Sequence, residues 1–127
     1  MTTTSTAAVS SDTAGLLETL AAAIEAKDAT AVSAHFAPDA RLSLLDRDHP
    51  PASPSVYAGT AEIEAYFEDI CGRNLEHHVT NRVADPGRIA FTQHCRYPSG
   101  QDVLCVTVAT VRDGHITDQT AVQVWDN

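Results

Sequence analysis

Three turn signals in the second half of this chain restrict its fold more than any other feature. Asp85-Pro86-Gly87, Pro98-Ser99-Gly100 and Asp113-Gly114 separate four β-prone runs at 75–84, 88–97, 102–112 and 115–125. Gly and Asp tolerate the positive φ that tight hairpins require, and Pro presets the first residue of a turn. Long strands joined by such short turns must pair antiparallel, since parallel neighbours need a long crossover connection. The spacing therefore predicts a four-stranded meander. Its third run, 103–111, is apolar or small on both faces, so it has to be covered from two sides.

The first half has helical periodicity. Leu16, Leu20 and Ile24 recur every fourth residue from Asp12 onward, with Leu17 and Ala21 on the adjoining stripe. Ser11 or Asp12 caps this helix, and Lys27 stands at the negative end of its dipole. Asp28 offers the N-cap of a short second helix that buries Val32, His35 and Phe36, and Pro38-Asp39 stops it. A short strand is expected at 41–45 and a proline-rich loop at 46–55. Thr60 caps a third helix carrying Ile63, Tyr66, Phe67 and Ile70, with Gly72 at its end. The chain thus divides into a solvated Ser/Thr-rich tail, 1–11, and one α+β domain, 12–127.

Charge removes whole classes of function. Seventeen acidic against eight basic residues leave a formal charge of −9, which repels nucleic-acid phosphates and anionic lipid surfaces. No apolar run reaches the roughly 20 residues of a membrane helix. The N-terminus lacks the basic start and apolar stretch of a secretory signal. Three cysteines without C-x-x-C spacing, Cys71, Cys95 and Cys105, suggest neither a disulfide framework nor a zinc site. A cytoplasmic protein is expected, with no nucleic-acid partner and no membrane attachment.

The order helix, helix, short strand, helix, four-stranded meander resembles the cone-shaped fold of the nuclear transport factor 2-like (cystatin-like) superfamily. Local motifs agree. Ala26-Lys27-Asp28 followed by His35-Phe36-Ala37-Pro38-Asp39-Ala40-Arg41 resembles the helix–strand junction of ketosteroid isomerases and SnoaL-like polyketide cyclases. Tyr57-Ala58-Gly59-Thr60-Ala61-Glu62-Ile63 resembles their entry to helix three, and Arg112-Asp113-Gly114-His115-Ile116 their last hairpin. The resemblance implies three helices packed on a curved antiparallel sheet around a small-molecule pocket. The isomerase pattern does not carry over residue by residue. Its oxyanion tyrosine falls on Leu20, its general-base aspartate on Leu44 and its protonated acid on Val108, all apolar. The cyclase aspartate of the last strand falls near Ala121, and the Arg-x-Asp pair of limonene-type epoxide hydrolases is absent.

Strand parity, phased by that resemblance, turns Tyr66, Phe91, Gln93, Cys95, Tyr97, Gln119, Ala121 and Gln123 into the cone, with Leu42 and Leu44 at its floor and Trp125 at its mouth. An apolar pocket with a few convergent polar groups takes a small, largely apolar molecule. Of the neighbours His77 and His78 only one faces inward, and His78 is read as the general acid or base. Adjacent strand histidines are poorly placed to share a metal, so neither metal nor cofactor is expected. Asp46 is the candidate catalytic carboxylate, with Glu62, Glu64 or Glu68 as its helical counterpart. Cys95 is not expected to act as a nucleophile, because its neighbour His94 faces the other way. The functional expectation is a cofactor-independent isomerase, cyclase or hydrolase, with a non-catalytic binding or accessory protein as the alternative. Cys105, Thr107, Ala109 and Val111, with Val122 and Val124, are expected on the convex sheet face as a homodimer contact.

Overall fold

The computed structural model describes the backbone of residues 2–126 and the side chains of residues 13–126. Within it the elements run α1 (Thr2–Glu25), α2 (Ala29–Ser33), β1 (Phe36–Leu45), β2 (Ser55–Ala58), α3 (Gly59–Gly72), β3 (Glu76–Asp85), β4 (Arg88–Arg96), β5 (Asp102–Arg112) and β6 (His115–Trp125). The solvated tail expected at 1–11 lies outside the residues whose side chains are described. No described helix is long and apolar enough to cross a membrane.

Helix α1 buries Leu16, Leu17, Leu20, Ala21 and Ile24, the stripe that its periodicity marks. It ends in a Schellman arrangement: Lys27 N–H donates to the Ile24 carbonyl and Asp28 N–H to the Ala23 carbonyl, each at 3.0 Å. Lys27 occupies the left-handed position (φ 56°) that glycine usually takes. Asp28 then caps α2 by accepting from Ala31 N–H at 3.1 Å. Helix α3 departs from expectation at its start. Thr60 does not cap it; Ala58 is the N-cap residue, and Glu62 reaches back to accept from Ala58 N–H at 2.9 Å.

All six described strands form one sheet in the order β2-β1-β6-β5-β4-β3, with β1 and β6 parallel and every other pair antiparallel. The meander is as expected. Strand β1 is longer than expected, starting at Phe36, because a register shift between Phe36 and Arg41 absorbs Pro38. Strand β2 lies where a loop end was expected and pairs with β1 from Leu44↔Ser55 to Arg41↔Ala58.

Two bulges set the facing of the meander. One lies between Thr80 and Val83 in β3, where Asn81 adopts φ 52°, and the other at Thr110/Val111 opposite Thr117 of β6. The bend in β3 lays it against α1. Glu25 there accepts from Val79 N–H at 2.9 Å, filling a vacant ladder position of the edge strand, and Arg82 pairs with Glu18 at 2.8 Å.

The core between helices and sheet holds Leu20, Val32, Leu42, Ile63, Ile89 and Ile116 at its deepest points. Beyond it a second cluster of Leu75, Cys95, Val103 and Cys105 lines the open end of the cone. On the opposite face of the sheet, Leu104, Val106, Val108, Val122 and Val124 stand exposed. This corrects the expected convex set. Val122 and Val124 are there, but Cys105, Thr107, Ala109 and Val111 are buried on the inner face. The bulge beside Thr117 moves the partner of each β5 residue by one, pairing Thr107 with inward Ala121 and Ala109 with inward Gln119.

Candidate functional site

The concave face of the sheet, roofed by α3, encloses a cavity of about 250 Å³. Leu42 and Leu44 form its floor; Tyr57, Tyr66 and Phe67 form an aromatic wall, with ring centroids 4.6 Å apart for Tyr57–Tyr66 and 5.1 Å for Tyr66–Phe67. Tyr97 and Trp125 stack at 6.2 Å beside the opening. Tyr66, Gln93, Cys95, Tyr97, Gln119, Gln123 and Trp125, all expected in the pocket, do line it. Phe91 does not; it is packed into the helix–sheet core.

The histidine assignment is corrected. His77 is the inward one, 4% exposed, and His78 stands in solvent on the outer face. The bulge at Asn81–Arg82 is the cause, since it brings His77, not His78, opposite Cys95. Asp46 sits at the cavity mouth, where its carboxylate accepts from His49 Nδ1 and Asp48 N–H, both at 2.9 Å. Burial pushes its pKa up, but the bonds from His49 and Asp48 outweigh this and hold it below the ordinary aspartate value. It therefore stays ionised and engaged, a poor proton donor. Of its expected counterparts on α3, Glu62 is occupied by Ala58 N–H, and none of Glu62, Glu64 or Glu68 lines the cavity.

The site's chemistry lies deeper, among residues of three adjacent strands. His77 Nδ1 stands 3.2 Å from Cys95 Sγ; Gln93 Nε2 stands 3.1 Å from the same Nδ1 and 3.5 Å from the sulfur. Because the Gln93 amide donates to Nδ1, that nitrogen is an acceptor and the ring proton resides on Nε2. Neither His77 Nε2 nor Gln119 Oε1 has a hydrogen-bond partner, although both are buried. Cys95 and Cys105 are free thiols, buried on adjacent strands. The neighbouring Cys105 thiol, with His77 and Gln93, outweighs desolvation and lowers the Cys95 pKa; the Cys105 pKa rises correspondingly, through its neighbour Cys95 and then its burial. The charge belongs on Cys95 because His77 and Gln93 contact that sulfur. Burial likewise pushes the Tyr66 phenol well up, with Cys105 and Tyr57 adding to it. Among the described residues no three of His, Cys, Asp and Glu converge as a metal site.

His77, Cys105, Thr107 and Arg73 were not singled out as pocket residues. Asn81 was the one local signal for His77, since asparagine is enriched in the left-handed conformation of a bulge. The isomerase positions also resolve. Leu20 is core, Leu44 lines the cavity, and Val108 lies outside on the convex face, leaving Thr107 and Ala109 as its inward neighbours.

An α+β cone with helices on the concave side of a bent sheet and a half-apolar cavity beneath is the architecture of the nuclear transport factor 2-like superfamily. The SnoaL-like domain model matches residues 17–119, and the chain belongs to that family. No curated protein matches it. Solved structures agree on the fold at low identity. A protein from Kribbella flavida proposed as a ketosteroid isomerase is 18% identical with a TM-score of 0.75, over 93% of this chain and 80% of that one. An NTF2-like protein of unknown function from Mesorhizobium loti is 16% identical with a TM-score of 0.77, over 93% of both. A computationally designed 17-OHP binder is 17% identical with a TM-score of 0.67, over 91% of this chain and 98% of the other.

Proposed function

We propose that this protein binds a small, largely apolar metabolite that carries at least one hydrogen-bond acceptor and one donor. The observation that carries this reading is the pair of buried polar atoms without partners, the Nε2–H of His77 and the Oε1 of Gln119, on residues that line one half-apolar cavity. Each unpaired group costs about 1–3 kcal/mol in the folded state, a cost that a ligand with the complementary groups removes. A volume of about 250 Å³ falls just below the range of drug-sized pockets, so the ligand is compact, on the scale of one or two rings. Titration calorimetry with a panel of monocyclic hydroxyketones tests it. Binding that weakens in Gln119→Leu supports the reading, and no binding across the panel overturns it.

As an enzyme the protein would be a cofactor-independent isomerase, cyclase or hydrolase with His77 as its acid or base. As a carrier or accessory protein it would hold the ligand unchanged. The apolar residues at the isomerase positions favour the carrier, and the Cys95–His77 pair favours chemistry. His77→Gln abolishes turnover under the first and changes affinity only modestly under the second. The free thiols suit a reducing cytoplasm. We further propose a homodimer built on the convex sheet face, where Val106 and Val108 are 50% and 49% exposed beside Val122 and Val124.

A further inference from the structure

We propose that Cys95 is a nucleophilic site that captures small α,β-unsaturated carbonyl compounds in the cavity as thioether adducts. The proposal rests on the cavity's being a small-molecule site. A thiol at 3.2 Å from an imidazole nitrogen has its base in place, and Gln93, donating to that nitrogen, keeps it an acceptor for the thiol proton. Gln93 then donates to the sulfur once the proton has moved. The low thiol pKa argued above agrees with this arrangement.

The surroundings select the electrophile. Acyl transfer needs two donors against the oxygen of the very carbon attacked, usually backbone N–H groups. Strands β4 and β5 are internal to the sheet, so their N–H groups are occupied by its ladders. The unpartnered donor is His77 Nε2–H, set off from Cys95 by the width of the imidazole ring. In conjugate addition the charge appears on an oxygen three bonds from the carbon attacked, so a donor standing off from the sulfur suits it. The step balances internally. The Sγ–carbon bond forms at the β-carbon as the C=C π bond breaks, and its electron pair moves to the enolate. The thiol proton, taken by His77 Nδ1, is delivered to the α-carbon. No oxidant, reductant or co-reactant enters.

The test is intact-mass spectrometry of the protein with 2-cyclohexen-1-one at neutral pH, with peptide mapping and with half-exposed Cys71 as internal reference. The expected result is one adduct, on buried Cys95, forming at least about tenfold faster than on Cys71 and lost in Cys95→Ser. His77→Gln slows it by about tenfold or more, and Gln93→Leu, the milder change, slows it severalfold should the His77 variant fail to fold. Modification of Cys71 first, or wild-type rates in the Gln93 variant, overturns the proposal. The saturated ketone cyclohexanone, followed by NMR shifts of cavity residues, separates the two readings. If cyclohexanone enters but cyclohexenone leaves Cys95 unmodified, the covalent proposal falls and the binding reading stands. If neither enters, the covalent proposal falls, and the hydroxyketone panel decides the binding reading.

Discussion

Gln119 is 7% exposed and leaves its side-chain oxygen unpaired, an arrangement that folding alone does not favour. Gln119→Leu should therefore raise the stability of the ligand-free protein by about 1 kcal/mol in urea unfolding, while weakening ligand binding by about 1–2 kcal/mol. Loss of stability would show that Oε1 serves the fold. Cys95 gives a second prediction at this scale. The groups facing it are His77 from β3, Gln93 on its own strand, Cys105 from β5 and Tyr66 from α3. Cys105 beside it, His77, which takes the thiol proton, and the Gln93 amide, which donates to the sulfur, favour the thiolate, so its pKa is lowered to about 5 and the reactive form is already present at neutral pH. Alkylation of Cys95 should accordingly change little between about pH 7 and pH 9, where an ordinary thiol with pKa near 8.5 accelerates steeply. Cys105→Ala removes the largest of the lowering influences and should restore part of that acceleration. A Cys95 profile rising through pH 8–9 in the unaltered protein would refute the assignment.

Among the elements, the joint between α1 and α2 stores strain at Lys27, whose φ of 56° carries a cost of about 1–2 kcal/mol for a residue with a Cβ. Lys27→Gly should relieve this in part, raising stability by about 0.5–1 kcal/mol after glycine's greater unfolded-state entropy is counted, as read from denaturant midpoints. The hydrogen bond from Lys27 Nζ to the Arg73 carbonyl, 3.3 Å long, is too weak to reverse the sign. The four meander strands were legible to within a residue or two because their ends are written in local chemistry: Asp85-Pro86-Gly87, Pro98-Ser99-Gly100 and the positive-φ pair Asp113-Gly114. Their facing was legible only in part. Each error traces to a bulge, at Asn81–Arg82 for His77 and His78 and beside Thr117 for the inner set of β5. One inserted residue reverses every side chain beyond it relative to the partner strand. Where a strand is apolar on both sides, as from Val103 to Val111, its own alternation cannot reveal the slip.

At the scale of the whole molecule, the convex face leaves Leu104, Val106, Val108, Val122 and Val124 side by side, Leu104 opposite Val124 and Val106 opposite Val122. Sedimentation equilibrium at micromolar concentration should give twice the chain mass of 13.5 kDa, and Val106→Lys should give a folded monomer, since a charge there is hydrated in the monomer and buried in the dimer. A monomer in the unaltered protein would refute this. The amino-acid order by itself determined the element succession apart from β2, the antiparallel meander, the α+β class and about half of the cavity lining, because periodicity, caps and turn residues act within a few positions of one another. Tertiary structure alone decided that His77 meets Cys95 and Gln93, that Cys105 faces inward, and that Phe91 belongs to the core. Those contacts depend on strand register, and register is set by bulges and by the packing of β3 against α1, through Glu25 and Arg82, across more than fifty residues of chain.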